Sequence, residues 1–185
     1  MNYVVIPARW SSSRLPGKPL KKIGSKPMIQ WVYESCKKSD ADFIFIATDS
    51  EKIRDQVLEF NGQVIMTSVD HKTGTDRIHE AITKIKCHQE DLIINVQGDE
   101  PFINAKNIDL AINNFLKRKS NKVVCSTLYY KTNKMEEINS PNRGKCVLDS
   151  ESNIIYCSRS AIPVNKKAEI IKDYQYKIHV GIFVY

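Results

Sequence analysis

Short apolar runs alternate with amphipathic stretches along most of this 185-residue chain, and no other feature constrains the fold as strongly. Residues 4–7 form a first strand-like piece. Phe43–Thr48 (FIFIAT) and Leu92–Val96 (LIINV) are near-continuous apolar runs, the pattern of strands buried on both faces. Val64–Met66 and residues 123–130 add two more. Between them lie helical stretches. Pro27 fits the first position of a helix, followed by Ile29, Val32, Tyr33 and Cys36 on a core face. Asp49 or Ser50 can cap the next helix, with Ile53, Val57 and Leu58 inward and Gly62 just past its end. Residues 76–85 and 104–116 complete the helical set. This βαβα rhythm predicts an α/β fold: a Rossmann-like, mainly parallel sheet with helices on both faces.

The rhythm changes after about residue 131. Residues 146–148 and Ile154–Ser158 flank the polar turn Asp149-Ser150-Glu151-Ser152-Asn153, which predicts a β-hairpin insertion in the C-terminal part. Residues 176–185 are again strand-like, and a strand with no covering helix after it gives the sequence a cut-short look. A chain of this length is expected to be a single domain, residues 1–185.

A hydrophobic share of 42% with 26% charged residues excludes disordered and collagen-like chains. No apolar run approaches the ~20 residues that a membrane span needs, and the apolar start has no basic region before it, so no signal peptide is read there. The five scattered cysteines contain no CxxC pair and are expected to be reduced thiols of a cytoplasmic protein. The net charge of +7 permits nucleic acid or an acidic small substrate. One lysine cluster, Lys117, Arg118, Lys119 and Lys122, falls where a helix should end and suits its dipole. No segment interleaves Arg with aromatic residues as a base-stacking surface does, so neither nucleic acid nor membrane is the expected partner.

In open α/β sheets, ligands bind beyond the carboxyl ends of the strands, and two of those ends are unusually polar here. After the first strand comes Ala8-Arg9-Trp10-Ser11-Ser12-Ser13-Arg14-Leu15-Pro16-Gly17-Lys18. It offers cations, hydroxyls and a glycine turn with almost nothing to pack, a mix suited to phosphate oxygens. It is neither a Walker P-loop nor GxGxxG. After LIINV comes Gln97-Gly98-Asp99-Glu100-Pro101. Magnesium takes one or two carboxylates plus substrate phosphate oxygens and water. Asp99 is the better candidate ligand, with Glu100 nearby in support or as a cap. A third stretch, His71-Lys72-Thr73-Gly74-Thr75-Asp76-Arg77, enters a helix that Thr75 or Asp76 could cap. Arg77 opposes the dipole preference in the first turn, a sign that it answers to another group. The three together point to a nucleoside triphosphate with Mg²⁺ and to phosphoryl or nucleotidyl transfer.

The residues 5–9 (VIPAR) with SRLPGKPL at 13–20 resemble the sugar nucleotidyltransferases. HKTGTDR at 71–77, NVQGDEPFI at 95–103, SPN at 140–142, KCVLD at 145–149 and SRSAIP at 158–163 narrow the resemblance to the 3-deoxy-manno-octulosonate (Kdo) cytidylyltransferases, in order along the whole chain. The resemblance implies transfer of CMP from CTP to the anomeric hydroxyl of Kdo, giving CMP-Kdo and pyrophosphate for lipopolysaccharide biosynthesis. It implies that Arg9, Ser13, Arg14 and Lys18 hold the CTP phosphates, that Ala8 and Ser12 are also nucleotide-binding, and that Gly74 and Arg77 lie near the nucleotide's base. Arg9, Lys18 and Asp99 would be catalytic, Asp99 as the Mg²⁺ ligand. Gln97, Arg159 and His179 would face the sugar acid, His179 as a general base, a substrate-orienting group or a packed strand residue. The nucleotide part would be residues 1–130. Residues 131–185 would be an incomplete sugar-binding and dimerisation part of a family-type homodimer, lacking a later segment with a second acidic metal ligand. Phe183 stands where the family commonly has Tyr. The alternatives are a cytidylyltransferase for the amino analogue of Kdo or for sialic acid, or a CTP-binding remnant.

Overall fold

Strand β1 (Asn2–Ala8) lies between two parallel partners, β4 (Phe43–Thr48) and β6 (Leu92–Val96), and β5 (Val64–Met66) extends the sheet beyond β4. The computed structural model describes residues 1–11, 15–118 and 123–185. The chain divides into two compact units, Met1–Ser126 with Gly181–Tyr185, and Thr127–Val180.

In the first unit the parallel order is β5-β4-β1-β6, and residues 182–184 pair antiparallel with β6 through Ile182↔Val96 and Val184↔Ile94. Successive side chains of a strand point to opposite faces. Val5, Ala47, Ile65 and Ile93 therefore share one face, where Ile78 and Ala81 of α3 (Gly74–Lys84) pack on them. Val4, Ile6, Ile46 and Ile94, each one residue away, are fully buried on the other face. Helix α1 (Met28–Cys36) contacts β1 and β4, and α4 (Ala105–Lys117) contacts β6 and α1. Helix α2 (Glu51–Glu59) contacts β4 and β5. A 3₁₀ turn (Lys18–Leu20) and a two-stranded ribbon, β2 (Lys22–Ile23) with β3 (Lys26–Pro27), precede α1; neither carries a periodicity long enough to read from sequence.

Local chemistry explains the boundaries, with these differences from the expected ones in the first unit. Pro27 is the N-cap of α1 rather than its first residue, because its ψ of 147° is still extended. Phe43 is 37% exposed, so β4 is buried only over its second half; the Phe43 ring instead stacks on Tyr3 at 5.0 Å. Leu58 of α2 faces solvent while Ile53 and Val57 are fully buried. Ser50 caps α2 by accepting from the Ile53 N–H, and Asp49 is used elsewhere. Helix α3 begins earlier than expected. Thr73, not Thr75 or Asp76, is its N-cap, and Asp76 closes a reciprocal capping box with it.

The second unit holds residues 127–132 of β7 (Ser126–Thr132), residues 176–180 of β10 (Tyr176–Val184) and the short helix α5 (Met135–Asn139). Strands β8 (Lys145–Leu148) and β9 (Ile154–Ser158) form the expected hairpin, with Cys146 opposite Cys157. Within this unit β8 also pairs antiparallel with β10 through Lys177↔Cys146 and Ile178↔Lys145. Tyr176 is fully buried, its hydroxyl donating to the Pro163 carbonyl at 2.8 Å and accepting from the Ile171 N–H.

Candidate active site

Because β1, β4, β5 and β6 run parallel, their carboxyl ends meet at one edge of the sheet. Pro7, at the end of β1, is the point on which this edge closes. A Cβ on Gly98 would meet the Pro7 carbonyl oxygen at 2.8 Å, and a Cβ on Gly74 would lie 3.3 Å from the Pro7 ring. Only glycine at 98 lets the turn after β6 approach the turn after β1 this closely. A Cβ on Gly181 would likewise meet the Gln97 side chain at 2.9 Å.

That approach brings Lys18 to Asp99. The Lys18 ammonium donates to Asp99 Oδ2 at 2.6 Å, with both side chains substantially exposed. Lys18 opens the 3₁₀ turn. Gly17 before it takes φ 66°, and its N–H donates to the Trp10 carbonyl at 3.0 Å. That bond brings the main chain at Gly17 to the main chain at Trp10. The Trp10 ring packs against Gly17, and the Lys52 ammonium lies 4.7 Å from its centroid. The expectation that this loop has little to pack is corrected by that ring. Arg9 and Ser11 are exposed on the loop, and Ala8 is buried at the end of β1. Ser12, Ser13 and Arg14 lie outside the described residues.

Arg77 is 2% exposed. Its guanidinium donates to Asp49 Oδ2 at 2.6 Å and to Thr67 Oγ1, while Asp49 Oδ1 accepts the Trp10 backbone N–H at 3.3 Å. One buried cation thus links α3, the end of β4, the residue after β5 and the start of the loop after β1. Asp49, Thr67 and Trp10 were not singled out as site residues from sequence. The only signal was the misplaced cation in the first turn of α3. Trp10, Ser11, Asp49, Ser50, Glu51, Lys52 and Val69 line an open cleft of about 450 Å³ at this edge. The loop leading into α3 is held by Glu80, which accepts from Lys84, the Ser68 N–H and His71, and these contacts lower its pKa to about 2.

Gln97 follows β6 and donates through Nε2 to Asn95 Oδ1 at 3.0 Å. Among the described residues no group of three or more His, Cys, Asp or Glu side chains is placed to hold a metal ion. Asp99 instead offers one exposed carboxylate, a hard oxygen donor that suits Mg²⁺ carried in on substrate phosphates.

In the second unit Arg159, immediately after β9, is exposed and donates to the Asn142 carbonyl at 2.6 Å. His179 on β10 is half-buried, with Nε2 2.8 Å from Thr127 Oγ1. Thr127 Oγ1 also lies 3.3 Å from the Val180 carbonyl. Burial, and then the charge of Arg159, push the His179 pKa below its usual value.

At the carboxyl edge of a parallel α/β sheet, the loop after the first strand thus closes against the acidic turn after β6, Lys18 on Asp99. The cytidylyltransferase family matches residues 3–185, and the chain belongs to that family, a family of nucleotidyltransferases. A 3-deoxy-manno-octulosonate cytidylyltransferase of Francisella tularensis is 46% identical over 99% of this chain and 74% of its own length. Another from Fusobacterium nucleatum is 45% identical over 98% of this chain and 71% of its own. The solved structure of a CMP:2-keto-3-deoxy-manno-octonic acid synthetase complexed with CTP is 37% identical, with a TM-score of 0.85 over 100% of this chain and 73% of that one. Within the cytidylyltransferases, the chain groups with the 3-deoxy-manno-octulosonate branch.

Proposed function

We propose that this protein transfers CMP from CTP to the anomeric hydroxyl of Kdo, releasing pyrophosphate, as a step toward lipopolysaccharide. The observation that carries the reading is the meeting of Lys18 and Asp99 at the carboxyl edge of β1 and β6. A cation for phosphate oxygens and a carboxylate for a hard metal ion stand together before substrate arrives. The family and the relatives' activities support it.

The reaction joins two anions, so the protein's work is to neutralise and orient them. Lys18 and Arg9, with Ser12, Ser13 and Arg14, hold the triphosphate and stabilise the leaving pyrophosphate. Asp99 would hold Mg²⁺, which would supply polarisation of the phosphate oxygens. Gly74 lets the entrance of α3 lie close to the nucleotide, and Arg77 fixes the walls of the adjoining cleft through Asp49. Gln97, Arg159 and His179 serve the sugar acid, Arg159 by the bidentate geometry that carboxylates favour. His179, neutral at physiological pH by virtue of its lowered pKa, is able to accept a proton from the sugar hydroxyl or to orient it. No covalent intermediate is required. Among the described residues no helix is long and apolar enough to cross a membrane. A cytoplasmic place and a homodimer of the family type belong to the same reading.

The test is calorimetric titration with CTP, UTP, ATP and GTP, each with Mg²⁺, followed by pyrophosphate release with Kdo, its amino analogue and sialic acid as acceptors. Selective CTP binding and turnover with Kdo are expected. CTP binding with no turnover on any acceptor overturns the enzyme reading in favour of a binding protein, and equal use of sialic acid overturns the Kdo assignment.

A further inference from the structure

Lys145 is fully buried in β8, and its ammonium donates to three main-chain carbonyls, those of Ser140 at 2.8 Å, Arg143 at 2.9 Å and Arg159. An ammonium has three donors, so every one is used, and none is used on a carboxylate. Burying a cation without a counter-charge is costly even after relaxation. A methionine would fill the same space without that cost, so packing alone does not explain the residue.

The acceptors explain it better. Two of them, Ser140 and Arg143, bracket Asn142, whose own carbonyl receives the Arg159 guanidinium at 2.6 Å. The third is the backbone of Arg159 itself. Lys145 therefore fixes Arg159 from both ends, holding the main chain from which the side chain springs and the turn on which its guanidinium rests. Gly144, next in the same turn, accepts the His179 N–H at 2.8 Å, so the turn also registers β10. The charges point the same way. After burial, the nearness of Arg159 lowers the pKa of both Lys145 and His179. Such like-charge crowding is unfavourable until an anion joins it.

We propose that Lys145 is a positioning residue that aims the Arg159 guanidinium at the carboxylate of the sugar acid. The proposal rests on the assignment of Arg159 to the sugar acid made above. Arg159 has five N–H donors in a planar fork, and Asn142 engages only one edge of it, so a fixed fork can take a carboxylate two-pronged. Released from Lys145, the turn at 140–143 and the Arg159 backbone lose their common anchor, and the fork loses its direction while keeping its charge.

The experiment is steady-state kinetics on Lys145→Met, Arg159→Ala and the double variant, with thermal melts of each. Lys145→Met is expected to raise KM for Kdo about tenfold or more, with KM for CTP within about twofold, since misplacement by about an ångström carries costs of that order. In the Arg159→Ala background the same change is expected to add nothing. A Kdo KM that moves with Arg159→Ala and not with Lys145→Met overturns the proposal alone, as does an additive double variant or an equal rise in both KM values. A Kdo KM unmoved by Arg159→Ala overturns the assignment of Arg159 and the proposal with it. Should Lys145→Met fail to fold, the ammonium ¹⁵N–¹H signal of Lys145 in the unaltered protein decides. It is expected to shift on adding Kdo and not on adding CTP, and no shift with Kdo overturns the proposal.

Discussion

Lys18 and Asp99 are separated by 81 positions in the chain, yet the Lys18 ammonium donates to the Asp99 carboxylate at 2.6 Å. Both side chains remain open to solvent, at 38% and 53% exposure. An exposed pair of this kind contributes only about 0–1 kcal/mol to stability. Under the proposed function its two members are each other's placeholders, the cation for phosphate and the carboxylate for a metal ion. Lys18→Ala and Asp99→Asn are each expected to lower kcat/KM at least about 100-fold, while moving the melting temperature by less than about 3 °C. EDTA is expected to weaken CTP binding to the wild-type protein and to leave Asp99→Asn nearly unaffected. Losses of activity that track losses of stability would count against the assignment.

Gly98→Ala tests whether the edge must close. The added methyl group would meet the Pro7 carbonyl oxygen at 2.8 Å, and backbone does not swing aside. The expected cost is about 1–3 kcal/mol, accompanied by a loss of CTP affinity as Asp99 is displaced from Lys18. Gly24→Ala is the control. It sits at φ +62° with nothing within 4 Å of the new methyl, so it destabilises through the backbone alone. Calorimetry is expected to find its CTP affinity unchanged; equal losses in both variants would refute the closure argument.

Arg77 and Asp49 form a pair with side-chain exposures of 3% and 9%. Arg77→Met leaves the Asp49 carboxylate buried without its cation, at an expected cost of about 3–5 kcal/mol. Replacing both, Arg77→Met with Asp49→Leu, is expected to recover most of that stability. It should not recover CTP binding, because the Trp10 N–H then has no carboxylate to hold it. Urea unfolding and calorimetry on the single and double variants separate the two effects.

His179 titrates below its ordinary value of 6.5, held down first by burial and then by Arg159. The folded state therefore favours the neutral ring. Its contribution to stability is fully present above pH 6.5 and is lost as pH falls through the lowered value. Stability measured from pH 7.5 to 5 should fall more steeply for the wild-type protein than for His179→Gln. An NMR titration of the ring in Arg159→Ala should move part of the way back up, because burial persists. No movement would place Arg159 too far away to act on it.

Most of the first unit was legible because its signals are local or periodic. The β1, β4, β5 and β6 segments read as apolar runs, and Ile29, Val32, Tyr33 and Cys36 at helical spacing mark the buried face of α1. The hairpin at residues 145–158 read from its polar turn. What stayed hidden depends on pairs distant in sequence. Nothing near Asp49 reveals that Arg77 will take its carboxylate in preference to a helix cap, and nothing near Lys145 reveals three carbonyls converging on it. Leu58 counted as inward on periodicity, but only the sheet's actual extent decides that it meets water. The cap of α3 was misplaced because Thr73 forms its box with aspartate, where glutamate or glutamine is the commoner partner.

The chain has two tryptophans, and their surroundings differ. Trp31 is tied down, its indole N–H donating to the Ile23 carbonyl at 2.8 Å and Lys26 lying over its ring. Trp10 lines the open cleft, pressed between Gly17 and the Lys52 ammonium. A nucleotide settling beside it would change the polarity and charge around one indole and leave the other untouched. With Trp31 replaced by Phe, the protein becomes its own optical gauge: nucleotide arrival and departure could be followed in real time by intrinsic emission, with no label attached.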